Sequence, residues 1–388
     1  MARFPVTRDP TLRELTKSCE RHLVVSAVNL VDGGTAEILR QCLHASSSLS
    51  GWRVTALVHD AKVTWVDGVD YIERPDIKPS WLRRLWFEYV ECRAIAEKLQ
   101  PDFWLSLHDM TPDLGRTYGK IPQAVYCHNA MIFYRLPIRE ILLEPVLALF
   151  KWAYRWIYGF HISRNKAVIV QQNWIRTEFE RRYGCTNVVV AYPGVAAQSG
   201  VARVFRGQRF FYPSLPRAFK NFEVLLTAWE ILCQDPDWQG ELTVTVGSVG
   251  NRYSRSLIKR FGYLRNVRFV GRLTPAEVQR TYGQSDCLVF PSKLETWGLP
   301  ISEAKTAGLF ILAADLPYAH ETIGDYQGAE FFDPEDPNRL AVLMRNFAVG
   351  TLVPRVPIAP QIAPPFAKDW SALFTLLLDD QRSPGRPS

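Results

Sequence analysis

Cysteine is scarce and scattered in this chain of 388 residues. The seven cysteines, at positions 19, 42, 92, 127, 185, 233 and 287, never form a C-x-x-C pair, so neither a disulfide framework nor a zinc site follows from their spacing. Cys127 and Cys287 fall inside apolar, strand-like runs, the usual setting of a small buried thiol. The first 22 residues lack the apolar core of a signal peptide, and a reducing, cytoplasmic location is expected. No apolar run is long and clean: the longest, Ile141–Ile162, is broken by Glu144, Pro145, Lys151 and Arg155. A membrane span is therefore not expected there. The run predicts a helix, apolar around much of its circumference, that either sits in a core or touches a membrane or partner. Basic runs with interleaved aromatics are also missing, which argues against a nucleic-acid binder. The net charge is nevertheless +7, and residues 1–190 hold 25 Lys and Arg against 20 Asp and Glu. So dilute an excess suits anionic small substrates or an anionic membrane surface, the latter reached from the inner face of the cell membrane. No G-x-G-x-x-G follows the first strand, which disfavours a dehydrogenase. The other histidines (22, 44, 59, 108, 161 and 320) show no metal-ligand spacing, and Asp235-Pro-Asp237 reads as a turn. No metal site is expected.

What is present is a regular alternation. Hydrophobic residues make up 47% and charged residues 22% of a chain long enough for two domains. Short β-rich runs alternate with helix-length segments, the pattern of parallel sheets with crossover helices. Strands are expected at His22–Asn29, Trp52–Val58, Phe103–Leu107, Ala124–Cys127, Ala167–Val170 and Val188–Ala191. A second series begins with Arg209–Tyr212 and continues with Leu242–Val246, Val267–Val270, Cys287–Phe290, Phe310–Ala313 and Glu330–Phe332. Between the series, 192–207 is rich in small residues and reads as a linker. The domains expected are 1–191 and 208–352, both doubly wound α/β sheets. Residues 353–365 hold five prolines and form a non-helical connection. They lead back to the first domain through 366–388, where Trp370, Leu373, Phe374 and Leu377 make one apolar helical face. Ligands of such sheets bind beyond the carboxyl ends of the strands.

The most informative segment is Leu288–Glu303, LVFPSKLETWGLPISE. A buried strand ends at Pro291-Ser292, a loop carries Glu295, and Gly298-Leu299-Pro300 opens a helix. Free amides at Trp297–Leu299 would attract phosphate at that helix start. Glu303, about one turn in, stands where a carboxylate can accept both hydroxyls of a ribose. Glu295 is free to reach another part of the same ligand. Glutamates near helix starts are also common without any ligand, because the macrodipole favours them.

The wider context turns the balance. From Val267 to Asp336 the chain resembles the donor-binding half of retaining GT-B glycosyltransferases, the large family 4. Glu295 and Glu303 match the ends of its Glu-x7-Glu signature, with Gly298, Leu299, Pro300, Ala304 and Gly308 in place. The resemblance implies two Rossmann-like domains facing a cleft, a nucleotide-sugar donor linked to UDP or GDP, no further cofactor, and a C-terminal helix crossing back. It assigns the ribose to Glu303 and the reacting face of the sugar to Glu295. It also assigns Ser292, Trp297, Gly298 and Leu299 to the donor pocket. In Phe211–Glu230, Lys220 matches the lysine that clamps the diphosphate, while Ser214 stands where an arginine is usual. Arg217 is near enough to supply that charge. Charge on the leaving group would then be met by cations and helix amides. In the first half, Gly33-Gly34 resembles the family's glycine loop, although a plain tight turn explains it almost as well. His128 follows a strand at its carboxyl end and either contacts the donor sugar or caps the strand.

The implied activity is a retaining, hexosyl-type transfer to a growing glycan or a lipid-linked oligosaccharide, in bacterial surface polysaccharide synthesis. An epimerase or hydrolase of the same fold is an alternative. A catalytically silent binding partner is another, supported only by Ser214.

Overall fold

Runs such as Leu23–Val25 and Leu288–Phe290 are apolar at every position, with no polar alternation, and every one of these side chains is fully buried. Strands of that kind can be covered only when helices pack on both faces of a parallel sheet. The computed structural model has that architecture, twice. It describes residues 20–31, 33–115, 121–194, 207–354 and 357–379. Most of the expected linker, 195–206, lies outside the described residues, as do the segment 1–19, with Cys19, and the last nine residues.

The first sheet is built from β1 (Arg21–Ala27), β2 (Trp52–Val58), β3 (Val69–Glu73), β4 (Phe103–Ser106), β5 (Gln123–Cys127), β6 (Ala167–Val170) and β7 (Val188–Ala191). The second uses β8 (Arg209–Tyr212), β9 (Glu241–Val244), β10 (Val267–Phe269), β11 (Cys287–Phe290), β12 (Phe310–Ala314) and β13 (Ala329–Phe332). A last short strand, β14 (Phe366–Ala367), returns to the first sheet beside β7, pairing Phe366 with Val190. The orders are β14-β7-β6-β5-β4-β1-β2-β3 and β10-β9-β8-β11-β12-β13, parallel throughout.

Each order reverses at one place, between β1 and β4 in the first sheet and between β8 and β11 in the second. Loops leave in opposite directions at such a switch and open a crevice at the carboxyl ends.

The expected strands are all present, with ends shifted by a residue or two. Two strands were not anticipated. β3 is an edge strand, VDYIE, whose residues are mostly half-buried or exposed, so it carries little hydrophobic signal. β14 was expected to be the start of the closing helix. Phe366 and Ala367 instead extend the sheet, and the helix begins at Trp370, capped by Asp369 accepting the Ala372 amide at 2.8 Å. Its Trp370, Leu373, Phe374 and Leu377 are buried in the first domain's core, together with Ile38 and Leu39 of the helix Gly33–Ser47. Arg176 also holds the returning segment, donating to the carbonyls of Ala363 (2.8 Å) and Pro365 (2.5 Å).

The two domains meet at a polar joint. Gln172 donates to the carbonyl of Tyr318 and to Thr322 Oγ1, at 3.0 and 2.8 Å. At the start of the helix Asn173–Tyr183, the Asn173 amide donates to both oxygens of Glu321, at 3.1 and 3.0 Å. That carboxyl thus caps, from the second domain, a helix of the first. Burial raises the Glu321 pKa to about 7, against the opposing pull of the Asn173 amide, Tyr192 and Arg176. A raised carboxyl favours the protonated native state, so its contribution is complete below the ordinary glutamate pKa and is lost as pH rises through about 7. The melting temperature of the wild type should therefore fall, relative to Glu321→Gln, between about pH 5 and about pH 8. Parallel melting curves for the two proteins across that range would remove Glu321 as the source.

Candidate functional site

The loops after β8 and β11 are laced together before any ligand is considered. The Lys293 amide donates to the Phe219 carbonyl at 2.8 Å. Asn221, in a left-handed conformation at φ +56°, uses its side-chain amide to bridge the carbonyls of Pro291 and Pro334. Tyr212 donates from its hydroxyl to the Lys220 carbonyl at 2.7 Å. The result brings Lys220 and Glu295, 75 positions apart, into a 2.5 Å ion pair. Both side chains are mostly but not fully buried. A cation and a carboxylate thus stand together at the β8/β11 switch point.

Gly298 opens the helix Leu299–Thr306 at φ +85°. A side chain there would be strained by the backbone angle, which explains the glycine. Glu303 sits on this helix, and burial raises its pKa, although Tyr282 lowers it through a hydrogen bond. Glu37 of the first domain raises it further by charge repulsion. Burial thus outweighs the Tyr282 hydrogen bond, and the carboxyl stands above the ordinary glutamate range.

The glycine turn of the first domain meets this helix start across the cleft. Gly33 has φ +58°, and a Cβ on Gly34 would lie 2.8 Å from Leu299 Cδ1. Gly34 thus stands against Leu299 across the domain boundary. Beyond β5, the amides of His128 and Asn129 donate to one oxygen of Asp109, at 2.5 and 3.2 Å. Asp109 itself is held at φ +67°. Both ring nitrogens of His128 are buried. Burial depresses its pKa to about 4, with His108 adding repulsion and Asp109 opposing. His128 is therefore neutral at pH 7.

Three expectations need correction in detail. Ser292 is fully buried and its hydroxyl donates to the Leu294 carbonyl at 3.1 Å, so it shapes the loop rather than facing the cleft. The Trp297 side chain turns away as well, donating to Ser302 Oγ at 2.9 Å and packing on Tyr192. Only its backbone remains at the helix start. Arg217 is not free at the donor loop: it pairs with Glu144 of the first domain at 2.7 Å, and Glu144 also accepts the Ala218 amide at 3.0 Å. Ser214 offers no charge, and its amide is bonded to Thr245 Oγ1 at 2.8 Å. Asp235 does form a turn, accepting the Asp237 amide, and pairs with Arg345.

Glu144, Asp109 and Glu321 were missed by sequence reasoning. Glu144 was visible only as an interruption in an apolar run. Asp109 follows β4 at its carboxyl end, and that position was the one signal available for it.

Two facing parallel-sheet domains, with converging loops at both switch points, define the GT-B architecture. Residues 206–348, which span the second domain, match the family model described as Glycosyl transferases group 1. A segment of 101 residues is 32% identical to the D-inositol 3-phosphate glycosyltransferase of Corynebacterium aurimucosum, covering 25% of this chain and 24% of that protein. The chain thus aligns with about a quarter of that curated relative. Among solved structures, the sucrose-phosphate synthase of Thermosynechococcus elongatus superimposes with a TM-score of 0.63 at 15% identity, over 86% of this chain and 90% of that one. The Anabaena HepE protein in complex with UDP-glucose gives 0.56 at 14% identity, over 84% and 89%. At such identities these structures establish the fold.

Proposed function

We propose that the chain is a retaining, hexosyl-type glycosyltransferase. Its donor is a UDP- or GDP-linked sugar, and its acceptor a glycan or a lipid-linked oligosaccharide of bacterial surface polysaccharide synthesis. The observation that carries this reading is the Lys220–Glu295 pair at the β8/β11 switch point, together with the Gly298 helix start that carries Glu303 and meets Gly34. In it, Glu303 accepts the ribose hydroxyls and the amides at Gly298 and Leu299 face the diphosphate. Lys220 leaves Glu295 for the diphosphate, and Glu295 is released to the sugar. The bond from the anomeric carbon to the phosphate oxygen breaks, and the acceptor oxygen bonds to that carbon on the same face. The acceptor proton passes to the departing phosphate oxygen. Neutral His128 is available to a sugar hydroxyl once the buried pocket around it opens.

In this reading the charge on the leaving group is carried by Lys220 and backbone amides. Transfer from a panel of UDP- and GDP-sugars should therefore proceed at an unchanged rate in excess EDTA. Loss of activity restored by manganese or magnesium would overturn metal independence. Sugar release as free monosaccharide, unaffected by any acceptor, would favour a hydrolase instead.

A further inference from the structure

Seven of the 20 large hydrophobic side chains exposed among the described residues lie on just two neighbouring segments of the first domain. On the helix Pro145–Gly159, Leu149, Trp152 and Trp156 recur at intervals of three and four and are each about two-thirds exposed. On residues 81–91, Leu82, Trp86 and Val90 recur at intervals of four and are likewise exposed. The opposite sides of these segments are the packed ones. Arg84 is buried and donates to Tyr154 Oη at 3.0 Å, and Tyr89 meets Phe160 edge-on with ring centroids 5.0 Å apart. The segments are therefore neighbours, each with an apolar stripe on its outward face.

The charges around that face have one sign. Every carboxylate of the two segments and the short helix Ile138–Leu143 between β5 and β6 is buried or paired. Glu88 is bonded to His108, Glu91 to Arg74 and Arg83, Glu140 to Tyr134, and Glu144 to Arg217. Arg135, Arg139 and Arg155 are exposed, and no carboxylate pairs with them among the described residues. Arg155 sits within the Trp152–Trp156 stripe itself. The arginines near Trp81 are not available to it: Arg83 is tied to Asp76 and Glu91, and Arg84 is inside.

We propose that this face docks on a bilayer bearing anionic headgroups, with the indoles at the interface and the arginines against the phosphates. Tryptophan and arginine together suit the headgroup region, where an amphipathic ring and a cation are both satisfied. The residue just before the helix, Glu144, holds Arg217 of the donor loop through its carboxylate. Docking therefore brings the mouth of the cleft to the lipid surface. This rests on the reading that the acceptor is lipid-carried, yet the binding itself is measurable without any acceptor. No helix among the described residues is long and apolar enough to cross a membrane, so contact would be at the surface.

The test is co-sedimentation of the full chain with phosphatidylcholine vesicles, with and without about one-third phosphatidylglycerol. Binding should require the anionic lipid and weaken steeply as salt rises several-fold. The Trp152→Ser/Trp156→Ser variant and Arg155→Glu should each lower the vesicle affinity by about tenfold or more. Both should melt like the wild type and bind UDP or GDP equally well, so failure of the donor reading is scored separately. Negligible binding to both vesicle types, or binding indifferent to all three substitutions, would overturn the proposal. Concentration-dependent dimerisation abolished by the tryptophan substitutions would also overturn it, by assigning the face to a second copy of the chain.

Discussion

Glu303→Ala is expected to weaken binding of the cognate nucleoside diphosphate by about thirtyfold or more, which corresponds to roughly 2 kcal/mol. Two hydroxyl donors would lose a charged acceptor in a nearly dry site, where such bonds are stronger than in water. The same burial raises the pKa of Glu303, so ligand binding must draw the carboxyl into its ionised form. Affinity should accordingly drop as pH falls below the raised pKa, and that slope should vanish in Glu303→Gln. Titration calorimetry with UDP and GDP at two or three pH values measures both effects. An Ala variant with wild-type affinity would take Glu303 out of the site and with it the ribose assignment.

Lys220→Ala should lower kcat by about a hundredfold to a thousandfold, the usual cost of removing one preorganised donor from a developing anion. The same change leaves Glu295 mostly buried without its 2.5 Å partner, and a stranded carboxylate is destabilising in its own right. The two consequences separate in the double variant Lys220→Ala/Glu295→Gln. With no charge left unpaired, its melting temperature should recover toward that of the wild type, while its turnover stays low. If turnover recovered along with stability, Lys220 would be a structural lysine. Arg217 should matter less. Its guanidinium is committed to Glu144 across the domain boundary, and that bond must break before it can reach a phosphate.

Much of this was legible in the residue order because it depends on neighbours along the chain. Apolar runs of four to seven residues between helix-length segments specify parallel strands, since only burial on both faces satisfies them. Thus β2, β6, β7, β8 and β11 fall where the sequence placed them. Gly298 and Pro300 mark a helix start by backbone angle alone, and Glu303 follows by helical spacing. An edge strand like β3 escapes that logic because half its side chains need no burial.

The tertiary structure decided whatever joins distant positions. Lys220 meets Glu295, Arg217 meets Glu144, Gly34 meets Leu299 and Asp109 holds the amides of His128 and Asn129. Residue type leaves several partners open for each charged group, and only the sheet order and the domain joint select one. Burial was equally out of reach. The same Ser and Trp that read as pocket residues are enclosed at positions 292 and 297, because which side of a loop faces the cleft is set by what packs behind it. The apolar helix Pro145–Gly159 shows the division most clearly. Its composition allowed either a core or a surface, and the aromatic partners Tyr89 and Phe160 and the buried Arg84–Tyr154 bond turned Trp152 and Trp156 outward.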